Sequence, residues 1–533
     1  MNLAPASIWP QPLSPVHSLG LSALVAAIPL AIVLILMGVL RRSSLFASGC
    51  GLAGAWLCAL LVWRMPFALA LWSTLFGCIY AVWPIMWTVV GALWLYNLTV
   101  ATGKFELLRR WMERHVSPDP CIQVIVVAFC FGALLEGAAG FGAPVAVTAF
   151  LLVGLGFEPR RAVLVSLIAN TTPVAFGALG TPIIALAGVT GLDLMKLSSM
   201  VGRQLPMISF ILPMYLVCVV GGAKGFRRVW PAALVAGASF AAAQFLISNF
   251  WGPYTADILA AAASIAATFT FLQMWKPGAI AEQSQAIEKL SFGSTFLAWL
   301  PWALLAGVMV LCSYLKIQPM GQSVWAIPHL HKGVLITLYG QSYSALYTFQ
   351  PLSAGTGALA AAILTALCFR VRPGVFLKCG WTTLRQLRLP GLTVIVIVGL
   401  AYLYNYSGMA YTLGAAAANA GRVFPILSSY LGWVACFLSG SDTASNALFG
   451  NLQVAAAHQL HLNPVLLAAT NSSGGVTGKM ISPQNIAIGV TTVGLIAQEG
   501  KVLRSSFWHS VLFAGLVGLI AFAQAYWLTW MLP

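Results

Sequence analysis

Two polar runs interrupt otherwise apolar stretches of this 533-residue chain, and they share one spacing. The first is Asn170-Thr171-Thr172-Pro173, with Gly177, Thr181 and Pro182 beyond it. The second is Asn471-Ser472-Ser473-Gly474-Gly475, with Gly478, Ser482 and Pro483 at the same offsets. Amides and hydroxyls offer neutral hydrogen bonds without the cost of a buried charge. A helix broken at such a run also frees backbone groups. Its N–H groups at a half-helix N-terminus attract a carboxylate, and its released carbonyls hold a cation. Asn170, Thr171, Thr172, Asn471, Ser472 and Ser473 are therefore candidate substrate ligands, with Pro173 and Gly474-Gly475 as the expected helix breakers. The competing reading is that small polar residues only let helices pack closely.

Three charged residues lie within the same apolar surroundings: Glu136, Asp442 and Lys479. Ionisable groups at membrane depth are costly and count as functional candidates by default. Lys479 joins the candidate substrate ligands. Glu136 opens a run containing Gly137, Gly140, Gly142 and Pro144, and Asp442 follows Gly440-Ser441. Both sit where a long apolar stretch is broken centrally, which suits a hairpin tip and a role in proton coupling or cation attraction. A structural ion pair, or a tip open to an aqueous vestibule, is the alternative. Other motifs fail. Ser473 to Met480 resembles a phosphate-binding loop but lacks its first glycine and the Ser/Thr after the lysine. His329, His331, His458 and His461 fall near expected membrane ends and read as interfacial residues. No HExxH or CxxC occurs, and no nucleophile–base pair for a membrane-embedded enzyme is found. No metal site or cofactor is expected.

The elements that must hold these residues are membrane helices. The chain is 60% apolar and 7% charged, with mean hydropathy +0.90, far from a soluble composition. That excludes soluble enzymes, secreted proteins and β-barrels, whose strands alternate polar and apolar. The net charge of +16 sits in short loops such as Arg41-Arg42, Arg160-Arg161 and 224–228. This is the positive-inside pattern, with attraction to anionic lipid headgroups, and does not indicate nucleic-acid binding. The ten cysteines read as small core residues. Residues 1–20 form an expected external tail, and 104–116 an amphipathic helix in the cytoplasmic interface.

The expected fold is an all-α polytopic membrane protein with about twelve transmembrane helices, two re-entrant hairpins and two broken helices, in one domain over 1–533. Hairpins are expected at 121–157 and 425–462, and broken helices at 162–189 and 465–497. Single crossings are expected at 205–222 and 230–250. The segments 276–289, 316–350, 370–388 and 408–422 read as connections. Charge signs place the first hairpin's entry inside, the second's outside, and both termini outside. Repeat one then spans about 66–275 and repeat two about 352–530, in inverted orientation, a common carrier architecture.

Long motifs carry a resemblance. LLEGAAGFGAPVAVTAFLLVGLGFEP (134–159), NTTPVAFGALGTPI (170–183), GSDTASNALFGNLQ (440–453) and GGVTGKMISPQNIAIG (474–489) are similar to the lactate permease family, as is LTVATGKFELLRR (98–110). NTTP and NSSGG stand where the family pattern reads NTAP and NTTGG, with hydrogen-bonding capacity kept. The resemblance implies a symporter that takes up L-lactate, D-lactate or glycolate with protons across the bacterial inner membrane. It also implies the ion-transporter superfamily fold of paired hairpins and broken helices. A sodium-coupled organic-anion carrier of the same fold is the alternative.

Overall fold

Apolar residues dominate all faces of the helices, so most helices bury one side on their neighbours and leave large aliphatic and aromatic residues on the other, such as Leu24, Leu61 and Leu367. That is the surface of a bundle solvated by lipid. The computed structural model describes residues 8–115, 117–140, 142–275, 292–495 and 498–533. The expected connection 276–289 and Phe141 of the first hairpin lie outside them. Ten helices among the described residues are long and apolar enough to cross a membrane, or eleven if the bent pair Pro159–Ala169 and Val174–Thr190 is one span. Two of the ten, Pro120–Ala138 and Met409–Ser439, contain hairpin arms, and Leu194–Phe250 is divided at Gly222. With the shorter Ala354–Cys368 and the segment from Pro464 to Thr492, a twelve-pass arrangement results. The chain is a polytopic all-α membrane protein.

Both hairpins form. In the first, Pro120–Ala138 runs in and Ala143–Gly154 runs back, turning through left-handed Gly140 and Gly142. Its two ends meet at one pocket, where Cys121 and Leu155 to Glu158 lie beside Arg161, Gly221 and Arg228. In the second, Phe424–Ser439 and Asp442–Gln459 are joined by Gly440 at φ 71°. Ser445 Oγ donates to Gly432 O at 3.0 Å and Gln453 Nε2 to Ser428 O at 3.3 Å, lacing the arms together. The first hairpin opens beside the Gly222 elbow, where Arg161 bonds the carbonyls of Val219 and Val220. The second opens at the opposite end, where the His458 ring packs at a tilt against Tyr339. Both chain termini also lie at that opposite end: Gln11 bonds the carbonyls of Asn405 and Tyr406, and Arg203 that of Met531.

Several expected connections prove to be structured. From Pro373 onward the basic stretch 370–388 is helical, the first half of the helix Pro373–Ser407. Pro373 starts that helix, and its Leu, Lys, Arg and Gln residues are good helix formers. The turn between 205–222 and 230–250 shrinks to Gly222 alone, at φ 58° and ψ −161°. Residues 408–422 hold the helix Met409–Ala417 and a 3₁₀ segment. The tail and the 316–350 loop are tied together, with Trp9–Pro10 parallel to Val334–Ile336, and Ser323–Ala326 antiparallel to Leu346–Phe349. The amphipathic helix is Lys104–His115, with Leu108 fully buried and Glu106 held by Arg109 and Arg110. Those two guanidiniums keep the Glu106 carboxyl below its ordinary range.

The two expected helix breaks differ. The first falls as read: the helix Pro159–Ala169 ends at Asn170, and the chain bends by 67° into Val174–Thr190. Ala178, Leu179 and Gly180 are left-handed before the helix resumes at Thr181-Pro182. The second does not. Pro464–Lys479 is one continuous helix through Asn471-Ser472-Ser473-Gly474-Gly475, and the break comes at 480–482, before Pro483–Thr492. Its glycines serve close packing. A Cβ on Gly474 would run into Ser429 O, one on Gly478 into Trp433 O, and one on Gly432 into Asn471 O. The stop comes from Pro483 at the start of the next helix, capped by Ser482.

Candidate functional site

A cavity of about 220 Å³ lies where the tips of both hairpins meet both helix breaks. Hairpin one contributes Glu136 and Gly140, and hairpin two contributes Ser439 to Ala444. The first break supplies Gly177, Ala178, Thr181 and Pro182, and the second supplies Lys479, Gln484 and Asn485. Thus the first turns of Asp442–Gln459, of Pro483–Thr492 and of the helix resuming at Thr181 all face one space. A helix N-terminus carries roughly half a positive charge in its unpaired N–H groups. Three of them and the Lys479 ammonium face the cavity alongside the carboxyls of Glu136 and Asp442.

The ionisable groups are wired rather than loose. Lys479 Nζ lies 2.7 Å from Glu136 Oε1, with both side chains buried. Asn170 Nδ2 donates to Glu136 Oε2 at 2.9 Å. Gly177 lets the carboxylate in, because a Cβ there would sit 2.7 Å from Glu136 Oε1. The Glu136–Lys479 pair therefore joins the first hairpin and first break to the second break. On the opposite wall Ser472 Oγ donates to Asp442 Oδ2 at 2.7 Å, and Asn446 Nδ2 to the same oxygen at 3.3 Å. Asn446 also reaches Ser472 Oγ and Pro182 O. Asn471 bridges Asn446 Oδ1 at 3.0 Å and accepts from Gln453 Nε2 at 3.2 Å.

The residues singled out from sequence thus divide. Glu136, Gly140, Gly440, Ser441, Asp442 and Lys479 line the cavity. Asn170 and Thr171 border a small neighbouring void with Lys479. Asn471 and Ser472 stand behind Asp442 as its supports. Thr172 and Ser473 are buried with hydroxyls that have no hydrogen-bond partner among the described residues. Gly142 packs near Asn485 and Ile488, Gly137 packs against Asp257, and Pro173 lies inside the first break. Gly474 and Gly475 are packing contacts, the latter against Asp442 Oδ1.

One acid was missed. Asp257, 1% exposed, sits under the first hairpin in the helix Ala256–Met274. In the sequence it stands at the start of an apolar run, where an acid in a helix's first turn is commonplace. Gln484 and Asn485, uncharged residues directly after Pro483, also line the cavity.

This arrangement can be set beside known proteins. The family model described as L-lactate permease matches residues 22–528. The chain belongs to the L-lactate permease family. An L-lactate permease of Salmonella typhimurium is 40% identical over 551 residues, covering 99% of this chain and all of that protein. Glycolate permease GlcA of Escherichia coli is 41% identical over 560 residues, covering 98% of this chain and 99% of its own length. An L-lactate permease of Bacillus subtilis is 40% identical over 567 residues, covering 98% of this chain and all of that one.

Proposed function

We propose that this protein is a proton-coupled symporter that takes up lactate, glycolate and related 2-hydroxymonocarboxylates across the bacterial inner membrane. One observation carries the reading: a cavity where Lys479 and three helix N-termini face one space between the two hairpin tips. The names of relatives at about 40% identity over the full chain support the substrate class. The substrate carboxylate takes the place of Glu136 against Lys479 and the helix ends. Its 2-hydroxyl is then met by neutral groups of the second hairpin tip and second break, such as Ser441, Thr443 and Asn485. Asn170 and Ser472 hold the two carboxylates that frame the site, and Asn471 braces Asn446 beside Asp442. The units 66–275 and 352–530 are the two inverted halves in this reading.

Coupling follows from charge. Moving one anion inward against an inside-negative potential costs about 2.3 kcal/mol per 100 mV. A proton carried with it removes that cost. Glu136 and Asp442 are the carboxyls at the cavity wall able to take one, Glu136 when the substrate displaces it from Lys479. Purified protein in liposomes loaded with unlabelled L-lactate should take up labelled L-lactate by counterflow, with D-lactate and glycolate competing. Counterflow supported equally by unrelated anions such as chloride would overturn the substrate assignment.

A further inference from the structure

Asp257 has a setting unlike the other buried acids. The charged side chains that act on it are Glu136 and Lys479, one of each sign and already paired with each other. Its Oδ2 has no hydrogen-bond partner among the described residues. Its Oδ1 has one long contact, 3.4 Å from Gln244 Nε2. That same nitrogen lies 3.5 Å from Thr172 O in the first helix break. Ser209 Oγ donates to Gln244 Oε1 at 2.8 Å, which fixes the amide with its NH₂ toward Asp257. An ionised carboxylate so poorly bonded in the interior would be left largely without solvation. A metal cation would need a shell of oxygens, whereas the amide presents N–H groups here. A proton neutralises the group with no shell at all.

Gly137 seals the place. A Cβ on it would sit 2.8 Å from Asp257 Cβ and 3.1 Å from Ile258 N, so only glycine lets hairpin one lie this close. The neighbouring residue on that hairpin is Glu136, which faces the substrate cavity. We propose that Asp257 is a proton-carrying carboxyl of this transporter, which holds its proton while hairpin one is packed over it and exchanges it with water when that hairpin lifts. The inference rests on the reading of the chain as a proton-coupled carrier and moves the coupling group out of the cavity wall. Protonation favours the packed hairpin, because an ionised Asp257 needs water that Gly137 excludes. The proton and the substrate thereby bias one element, which is what coupling requires.

The test uses the full-length protein in sodium-free proteoliposomes. With one proton per substrate, an imposed gradient of one pH unit supports roughly tenfold accumulation of lactate by the parent. Asp257→Asn is expected to exchange lactate for lactate as the parent does, yet to show no accumulation above equilibration. Accumulation equal to the parent's overturns the inference, and so does loss of exchange in a monodisperse variant. Where Asp257→Asn does not fold, Asp257→Glu decides: accumulation kept with a displaced pH profile supports the proposal, and an unmoved profile refutes it. A parent indifferent to the pH gradient would overturn the proton-coupled reading and this inference with it. A parent and an Asp257→Asn variant that both respond overturn this inference alone.

Discussion

Replacing Lys479 by methionine keeps most of the stem and removes the ammonium that lies 2.7 Å from Glu136 Oε1. Two unit charges at that separation attract by ~6 kcal/mol at an effective dielectric of about 20. Desolvation of both groups offsets part of this. Truncating one partner of a buried pair nevertheless costs ~3–5 kcal/mol, because the other charge is stranded. Among the described residues Glu136 would keep the Asn170 amide at 2.9 Å, a neutral donor that cannot balance a full charge. Lys479→Met is therefore expected to be less stable by about that amount in detergent unfolding, and to lose lactate counterflow. Adding Glu136→Gln removes the stranded charge and should return most of the stability without returning transport. The double-mutant cycle measures the coupling directly. A Lys479→Met protein as stable as the parent would refute the ion-pair argument. Full transport by the same variant would refute the role of Lys479 at the substrate carboxylate.

Three further predictions follow from the same geometry. Gly432→Ala should destabilise by ~1–3 kcal/mol, as overpacking does, because its Cβ would run into Asn471 O; Gly374→Ala, with open space around it, should change stability by less than about half a kcal/mol. Asn170→Ala and Asn471→Ala should each weaken lactate binding by about tenfold or more, in line with a lost hydrogen bond to a charged group or its support. Calorimetry or a binding assay showing unchanged affinity in both would reassign these residues to helix packing. Cysteines placed at Arg160 and Asn463, in a background without the ten native ones, should be labelled by an impermeant reagent from opposite sides of the membrane. Same-side labelling would remove the inverted arrangement.

Membrane class, hairpins and the first broken helix were legible because their signals are coarse: hydropathy, and glycine and proline in the middle of long apolar runs. The second break was misplaced for a physical reason. Gly474-Gly475 looks like a helix breaker, but a glycine pair inside a tightly packed bundle loses little when its missing Cβ atoms let two backbones touch. Only tertiary contact with Ser429 and Asp442 tells the two uses apart. The basic stretch 370–388 reads as a connection because positive charge marks membrane ends, although its residues are good helix formers. The Glu136–Lys479 pair spans 343 positions and leaves no local signature, so the two residues were named separately but not as partners. Asp257 went unnoticed because a carboxylate in the first turn of a helix is commonplace, and its burial comes from hairpin one packing over it.

Proton-driven accumulation is the defining property of a symporter of this kind. Proteoliposomes containing the purified protein should concentrate labelled lactate when the outside is made acidic in sodium-free buffer, and a protonophore should abolish the gain. Adding an inward sodium gradient at equal pH should leave uptake unchanged. Accumulation that needs sodium and ignores the pH gradient would contradict proton coupling.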